Sequence, residues 1–155
     1  MGNTLRKIGR VDEAEGSYKQ AIALKPDFAE AHSNLGNILQ EIGRLDQAEG
    51  SYRQAIALKP DFAEAYSNLG GILKELGRLD EAEASFRRAI MLKSDYAEAQ
   101  SKLGGILREL GRLDEAEGSF RRAIALKPDY AEAHNNMGVT LEELARLDDA
   151  EASYK

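Results

Sequence analysis

The sequence predicts an all-α solenoid, a stack of antiparallel helix pairs. Three observations predict it: a four-residue motif that returns at a fixed interval, two cap-like acidic spacings inside each interval, and a composition rich in helix formers. Lys25-Pro26-Asp27-Phe28 returns as Lys59-Pro60-Asp61-Phe62, as Lys93-Ser94-Asp95-Tyr96 and as Lys127-Pro128-Asp129-Tyr130, 34 residues apart each time. The interval divides the chain into a partial repeat (1–28), full repeats over 29–62, 63–96 and 97–130, and a partial repeat over 131–155, read together as one domain.

Each interval reads as a helix A followed by a helix B. Asp61 with Glu64 three residues on has capping-box spacing, repeated by Asp27/Glu30, Asp95/Glu98 and Asp129/Glu132. Helix A runs from there to a glycine, Gly77 in the second full repeat, suited to a left-handed C-terminal position. Asp80 with Glu83 gives a second capping spacing, so helix B is expected to open there; Asp12/Glu15, Asp46/Glu49, Asp114/Glu117 and Asp148/Glu151 match. Pro60 stops helix B before the next repeat. Helices joined by so short a turn lie antiparallel, and stacked pairs bury a continuous core in a superhelix, expected to be right-handed. The stripes Leu69, Leu73, Leu76 and Phe86, Ala89, Ile90 are the expected core.

Composition excludes several functions. The 155 residues carry a net charge of −6, with a pI near 5.1, which disfavours nucleic acid and anionic membrane surfaces. No apolar run approaches the length of a bilayer span, and residues 1–10 lack the apolar stretch of a signal peptide. Cysteine is absent, which removes disulfides, thiol catalysis and cysteine metal sites and fits a cytoplasmic protein. His32 and His134 are the only histidines, three repeats apart, too far to share a metal. Gly70-Gly71 lacks the Gly-Lys-Ser/Thr of a phosphate loop. Neither an enzyme nor a cofactor is expected.

The pattern large-x2-Leu-Gly-x2-large, then Ala-x3-aromatic, then Pro resembles the tetratricopeptide repeat family. The first full repeat supplies His32, Leu35, Gly36, Leu39, Ala48, Tyr52 and Pro60; the third supplies Gln100, Leu103, Gly104, Leu107, Ala116, Phe120 and Pro128. Ser94 stands in the proline position and is expected to permit a slightly longer helix. Ala145 replaces the turn glycine and is expected to strain the last hairpin. The runs Met1-Gly2-Asn3-Thr4-Leu5, Ser33-Asn34-Leu35-Gly36-Asn37 and Leu58-Lys59-Pro60-Asp61-Phe62 are also similar to the repeat arm of O-linked N-acetylglucosamine transferase.

The resemblance implies a concave groove lined by helix A that holds an extended protein or peptide segment. In the transferase arm an asparagine recurs along that surface; the matching positions are Asn34, Asn68 and Asn136, with Lys102 interrupting. Asn37, Asn135, Ser33, Ser67, Ser101, Lys74 and Arg108 complete the candidate groove. An asparagine amide donates and accepts together, so a row of them suits a peptide backbone of any sequence. Glutamates on the same face favour a neutral or mildly basic segment. The chaperone-tail type of site is disfavoured, because Ser33 and Glu98 stand where lysines are wanted. Two rival expectations remain: head-to-tail self-assembly through apolar ends, and service as the substrate-recruiting arm of a larger glycosyltransferase-like enzyme.

Overall fold

The computed structural model describes the backbone of residues 2–154 and the side chains of residues 9–148. Within them eight helices follow one another: α1 (Gly2–Leu24), α2 (Ala29–Glu41), α3 (Leu45–Leu58), α4 (Ala63–Glu75), α5 (Leu79–Leu92), α6 (Ala97–Glu109), α7 (Leu113–Leu126) and α8 (Ala131–Tyr154). No strand occurs among the described residues. Helices α2 and α3, α4 and α5, and α6 and α7 form the tightest pairs, and each pair touches only its neighbours in the stack. Helix A of one pair also meets helix A of the next, α2 with α4 and α4 with α6.

Two glycine positions per pair make this geometry. Gly43, Gly77 and Gly111 each adopt φ of +75°, the left-handed region closed to most side chains. Around Gly77 the chain forms a complete Schellman turn: the Gly77 amide donates to the Lys74 carbonyl at 2.9 Å and the Arg78 amide to the Leu73 carbonyl at 2.8 Å. The other position is Gly36, Gly70 or Gly104 in mid-helix. A Cβ there would fall 2.7–2.9 Å from the buried ring of Tyr52, Phe86 or Phe120. The missing side chain lets the ring of helix B seat directly on the backbone of helix A. Each ring is at most 1% exposed, burial worth about 1.5–3 kcal/mol apiece. Ala48, Leu69, Ile72, Leu73, Ala82, Leu103 and Ile106 continue the same core between the rings.

Several expectations fail here. The acidic residues do not cap. Phe62 and Arg78 occupy the N-cap positions of α4 and α5, neither helix has a side-chain cap hydrogen bond, and Asp80 lies one residue inside its helix. In three of the expected helix B boxes the second carboxylate, Glu15, Glu49 or Glu83, instead bridges repeats. Glu49 meets Arg53 in its own helix and Arg78 of the next pair, each at 2.8 Å. Glu83 likewise meets Arg87 at 2.8 Å and Arg112 at 2.7 Å, and Glu15 meets Lys19 at 2.7 Å and Arg44 at 3.0 Å. The reason is geometric: the arginine that opens each helix B reaches back toward the pair before it.

Ser94 does not lengthen helix B, for α5 ends at Leu92, where α3 and α7 end at Leu58 and Leu126. Lys93, like Lys59 and Lys127, leaves the helix in an extended conformation and stacks its ammonium 4.7 Å from the aromatic ring three residues on. That local packing stops the helix without proline.

The last hairpin is absent rather than strained: α8 runs unbroken through Ala145. A side chain at the turn position disfavours the left-handed residue the turn requires, but this is not the whole cause, because the turn-position Gly9 does not break α1 either. Helix α1 likewise runs unbroken through Gly9, Asp12 and Glu15. Of the Asp148/Glu151 pair, the Glu151 side chain lies outside the described residues.

Neighbouring glycines therefore have opposite roles, and alanine scanning separates them. Gly70→Ala drives a methyl into the Phe86 ring and is expected to cost about 1–3 kcal/mol. Gly71→Ala meets nothing within 4 Å and is expected to stabilise by about 0.5–1 kcal/mol. Urea denaturation followed by circular dichroism measures both; equal signs would contradict the packing described.

Candidate functional site: a polar groove on the A helices

Helices α2, α4, α6 and α8 present residues of matching register along one face. Asn34, Asn68, Lys102 and Asn136 occupy one register position; Asn34 is exposed and the other three are partly exposed. Gln40, Lys74, Arg108 and Glu142 occupy another. A recess of about 550 Å³ runs across this face, lined by Gln40, Gly71, Lys74, Glu75, Phe86, Ser101, Lys102, Gly105, Arg108, Glu132 and Asn136. The structure thus brings five of the eleven sequence-derived candidates together around one cavity, Lys74, Ser101, Lys102, Arg108 and Asn136, while Asn68 stands one helical turn before Gly71 on α4. Asn34, Asn37 and Asn135 lie exposed outside its lining.

The serines require correction. Ser33, Ser67 and Ser101 were expected to be exposed in the groove, yet they are 4%, 1% and 2% exposed. Ser101 lies beside the hydroxyl of Tyr130, which precedes α8. Ser67 and Ser33 hold the same register one and two repeats earlier and are as buried, which places this position at the seam between successive pairs. Asn135 holds the same register on α8 and is exposed, with no further described helix packed over it. Burial raises the Tyr130 hydroxyl above its ordinary pKa, Glu132 adds to the rise, and Ser101 opposes it.

Asn37 is engaged within the protein. Its Oδ1 accepts the Tyr52 hydroxyl at 2.7 Å and the Asn68 amide at 3.1 Å. Burial, with Glu75 adding to it, pushes the Tyr52 hydroxyl well above its ordinary value. Where the ring loses its hydroxyl, as Phe86 and Phe120, the residue equivalent to Asn37 is glycine, Gly71 and Gly105. In the three closed pairs the two positions change together: a phenol at the floor of the groove has an acceptor above it, and a phenyl has glycine. The sequence alone carries that pairing, but its meaning depends on knowing that helix B rings reach through to the groove.

Most charges along the groove are neutralised in register. The Gln40 amide donates to Glu75 at 2.7 Å, Lys74 meets Glu109 at 2.8 Å, and Lys102 meets Glu98 at 2.6 Å within α6. Both histidines are accounted for structurally: His32 Nε2 lies 3.0 Å from the Pro26 carbonyl and His134 Nε2 lies 2.8 Å from the Pro128 carbonyl. No cluster of potential metal ligands occurs among the described residues, and no described helix is long and apolar enough to cross a membrane. Arg87 and Arg121 lie exposed on the outer face, paired with Glu83 and Glu117.

Stacked helix pairs, a left-handed glycine at every closed turn and a polar groove along one set of helices define a helical-repeat protein of the binding-surface class. A family model described as TPR repeat matches residues 2–43 and 104–144, and one described as tetratricopeptide repeat matches residues 34–99. The chain belongs to the tetratricopeptide repeat family. No curated protein matches it closely enough to count as a relative.

Solved structures agree in fold. The crystal structure of MamA superposes with a TM-score of 0.83 at 29% identity, over 98% of this chain and 89% of that one. YrrB, described as a TPR protein with an unusual peptide-binding site, gives 0.75 at 26% identity over 92% of this chain and 74% of that one. The first TPR of Spaghetti (RPAP3), bound to the HSP90 peptide SRMEEVD, gives 0.74 at 26% identity over 76% and 93%.

A double-mutant cycle tests the link between core and groove. Tyr52→Phe and Asn37→Ala are each expected to destabilise, and together by less than their sum, with a coupling of about 0.5–1.5 kcal/mol. Additive losses would mean that the 2.7 Å bond contributes nothing.

Proposed function

We propose that this chain is a cytoplasmic protein-interaction scaffold, one repeat domain over residues 1–155, that holds an extended, neutral or mildly basic protein segment against its A helices. The observation that carries this reading is the row Asn34, Asn68 and Asn136, accessible at one register on α2, α4 and α8, with Lys102 at that register on α6. The spacing of one helix pair, roughly 10 Å, suits a strand-like segment that meets an amide every three residues. Each side-chain-to-backbone hydrogen bond contributes only about 0.5–1.5 kcal/mol, so recognition needs the row rather than one member. The peptide-bound RPAP3 repeat and the peptide-binding site in the description of YrrB support the same use of the fold. No catalysis is proposed. The asparagine row also suits the finer reading of a substrate-recruiting arm in a larger glycosyltransferase-like enzyme, as the resemblance implies.

Exposed apolar side chains favour a second reading. Val139, Leu141 and Leu147 are 36%, 42% and 56% exposed at different sides of α8, apolar surface that head-to-tail stacking of copies would cover in part. Light scattering over a wide concentration range separates this from the groove reading, since a mass fixed at one subunit removes self-assembly.

The groove reading is tested with a random dodecapeptide display library selected on the whole chain. Peptides so selected, resynthesised and titrated by fluorescence polarisation, are expected to bind the triple variant Asn34→Ala, Asn68→Ala, Asn136→Ala at least tenfold more weakly, with helicity unchanged by circular dichroism. Undiminished binding would show that the row plays no part.

A further inference from the structure

Among the groove cations, Arg108 alone is uncompensated. The register that pairs Gln40 with Glu75 and Lys74 with Glu109 would pair Arg108 with Glu143, yet no hydrogen bond or ion pair joins them among the described residues. Arg108 Nη1 is out of contact with solvent and has no hydrogen-bond partner in the protein. A guanidinium donor held away from water without an acceptor is costly, and the carboxylate fork is its best-matched partner. Arg108 lines the 550 Å³ recess, at the point where Gly71 and Gly105 leave the backbone bare and nothing stands within 4 Å of where their Cβ atoms would be. Ser101, in the same lining, is 2% exposed and lies against the Tyr130 hydroxyl, so the guanidinium is the donor the recess offers. Glu132 shares the cavity but forms no bond to Arg108.

We infer that this recess seats the carboxylate of an aspartate or glutamate side chain, gripped by the Arg108 guanidinium, with the ligand backbone passing over Gly71 and Gly105. The inference rests on the groove reading above and adds one anionic anchor to an otherwise neutral or basic segment. It differs from a terminal-carboxylate clamp, since Ser33 is buried and Glu98 is paired with Lys102.

The test uses the full ¹⁵N-labelled chain and a small probe, N-acetylglutamate N-methylamide, with N-acetylglutamine N-methylamide as its uncharged isostere. The expected result is a saturable shift of the Arg108 Nε–Hε signal and of the Gly71 and Gly105 amides with the glutamate probe, and affinity about tenfold weaker for the glutamine probe. Arg108→Gln should weaken the glutamate probe by a similar factor as read from the glycine amides, and Arg108→Lys by less. Equal response to the two probes would overturn the inference even if Arg108→Gln failed to fold. A stronger response to inorganic phosphate than to the glutamate probe would also overturn it, reassigning the site to a phosphorylated side chain. Because no peptide enters this experiment, its failure leaves the library selection to judge the groove separately.

Discussion

Everything in this fold hangs on a ring laid against a bare stretch of backbone. Gly36, Gly70 and Gly104 let Tyr52, Phe86 and Phe120 approach helix A within the space a methyl group would fill. That contact sets the distance between paired helices, and the pairing sets the face left open. The left-handed glycines then fix the angle at which helix B returns. In the three closed pairs both devices act together, whereas α1 and α8 run unbroken past Gly9 and Ala145, and Gly9 and Gly138 meet no ring within 4 Å.

The groove inherits its chemistry from this core. A tyrosine floor recruits Asn37 as an acceptor, and Asn37 in turn takes the Asn68 amide. A phenylalanine floor leaves glycine above it and opens the recess instead. One atom on a buried ring thereby decides whether the groove surface is filled or hollow. Binding character along the stack varies with residues that never touch solvent.

The fold was legible because its determinants are periodic and local: the 34-residue step, the turn glycines and the ring positions can all be read along the chain. Three features were not legible, each for a physical reason. Asp80 has the composition of a cap, but the helix begins one residue before it, a shift that spacing alone does not register. Glu49 and Glu83 pair with arginines about one repeat away, a distance local motifs do not span. Ser33, Ser67 and Ser101 sit on the edge between the groove face and the seam between pairs, where polarity suggests exposure and only the neighbouring pair decides burial. The asparagine positions could be named from the family resemblance, whereas the engagement of Asn37 depended on a partner on helix B.

Because each helix pair touches only the pairs beside it, the molecule has no single centre whose loss undoes the whole. Such a nearest-neighbour chain has the connectivity of a linear spring made of similar coils. Small, equal adjustments at each junction add up along the axis, so its curvature can open or tighten around a guest without breaking any one junction. A segment held along the groove as proposed would span several coils at once and couple parts of the chain that never touch.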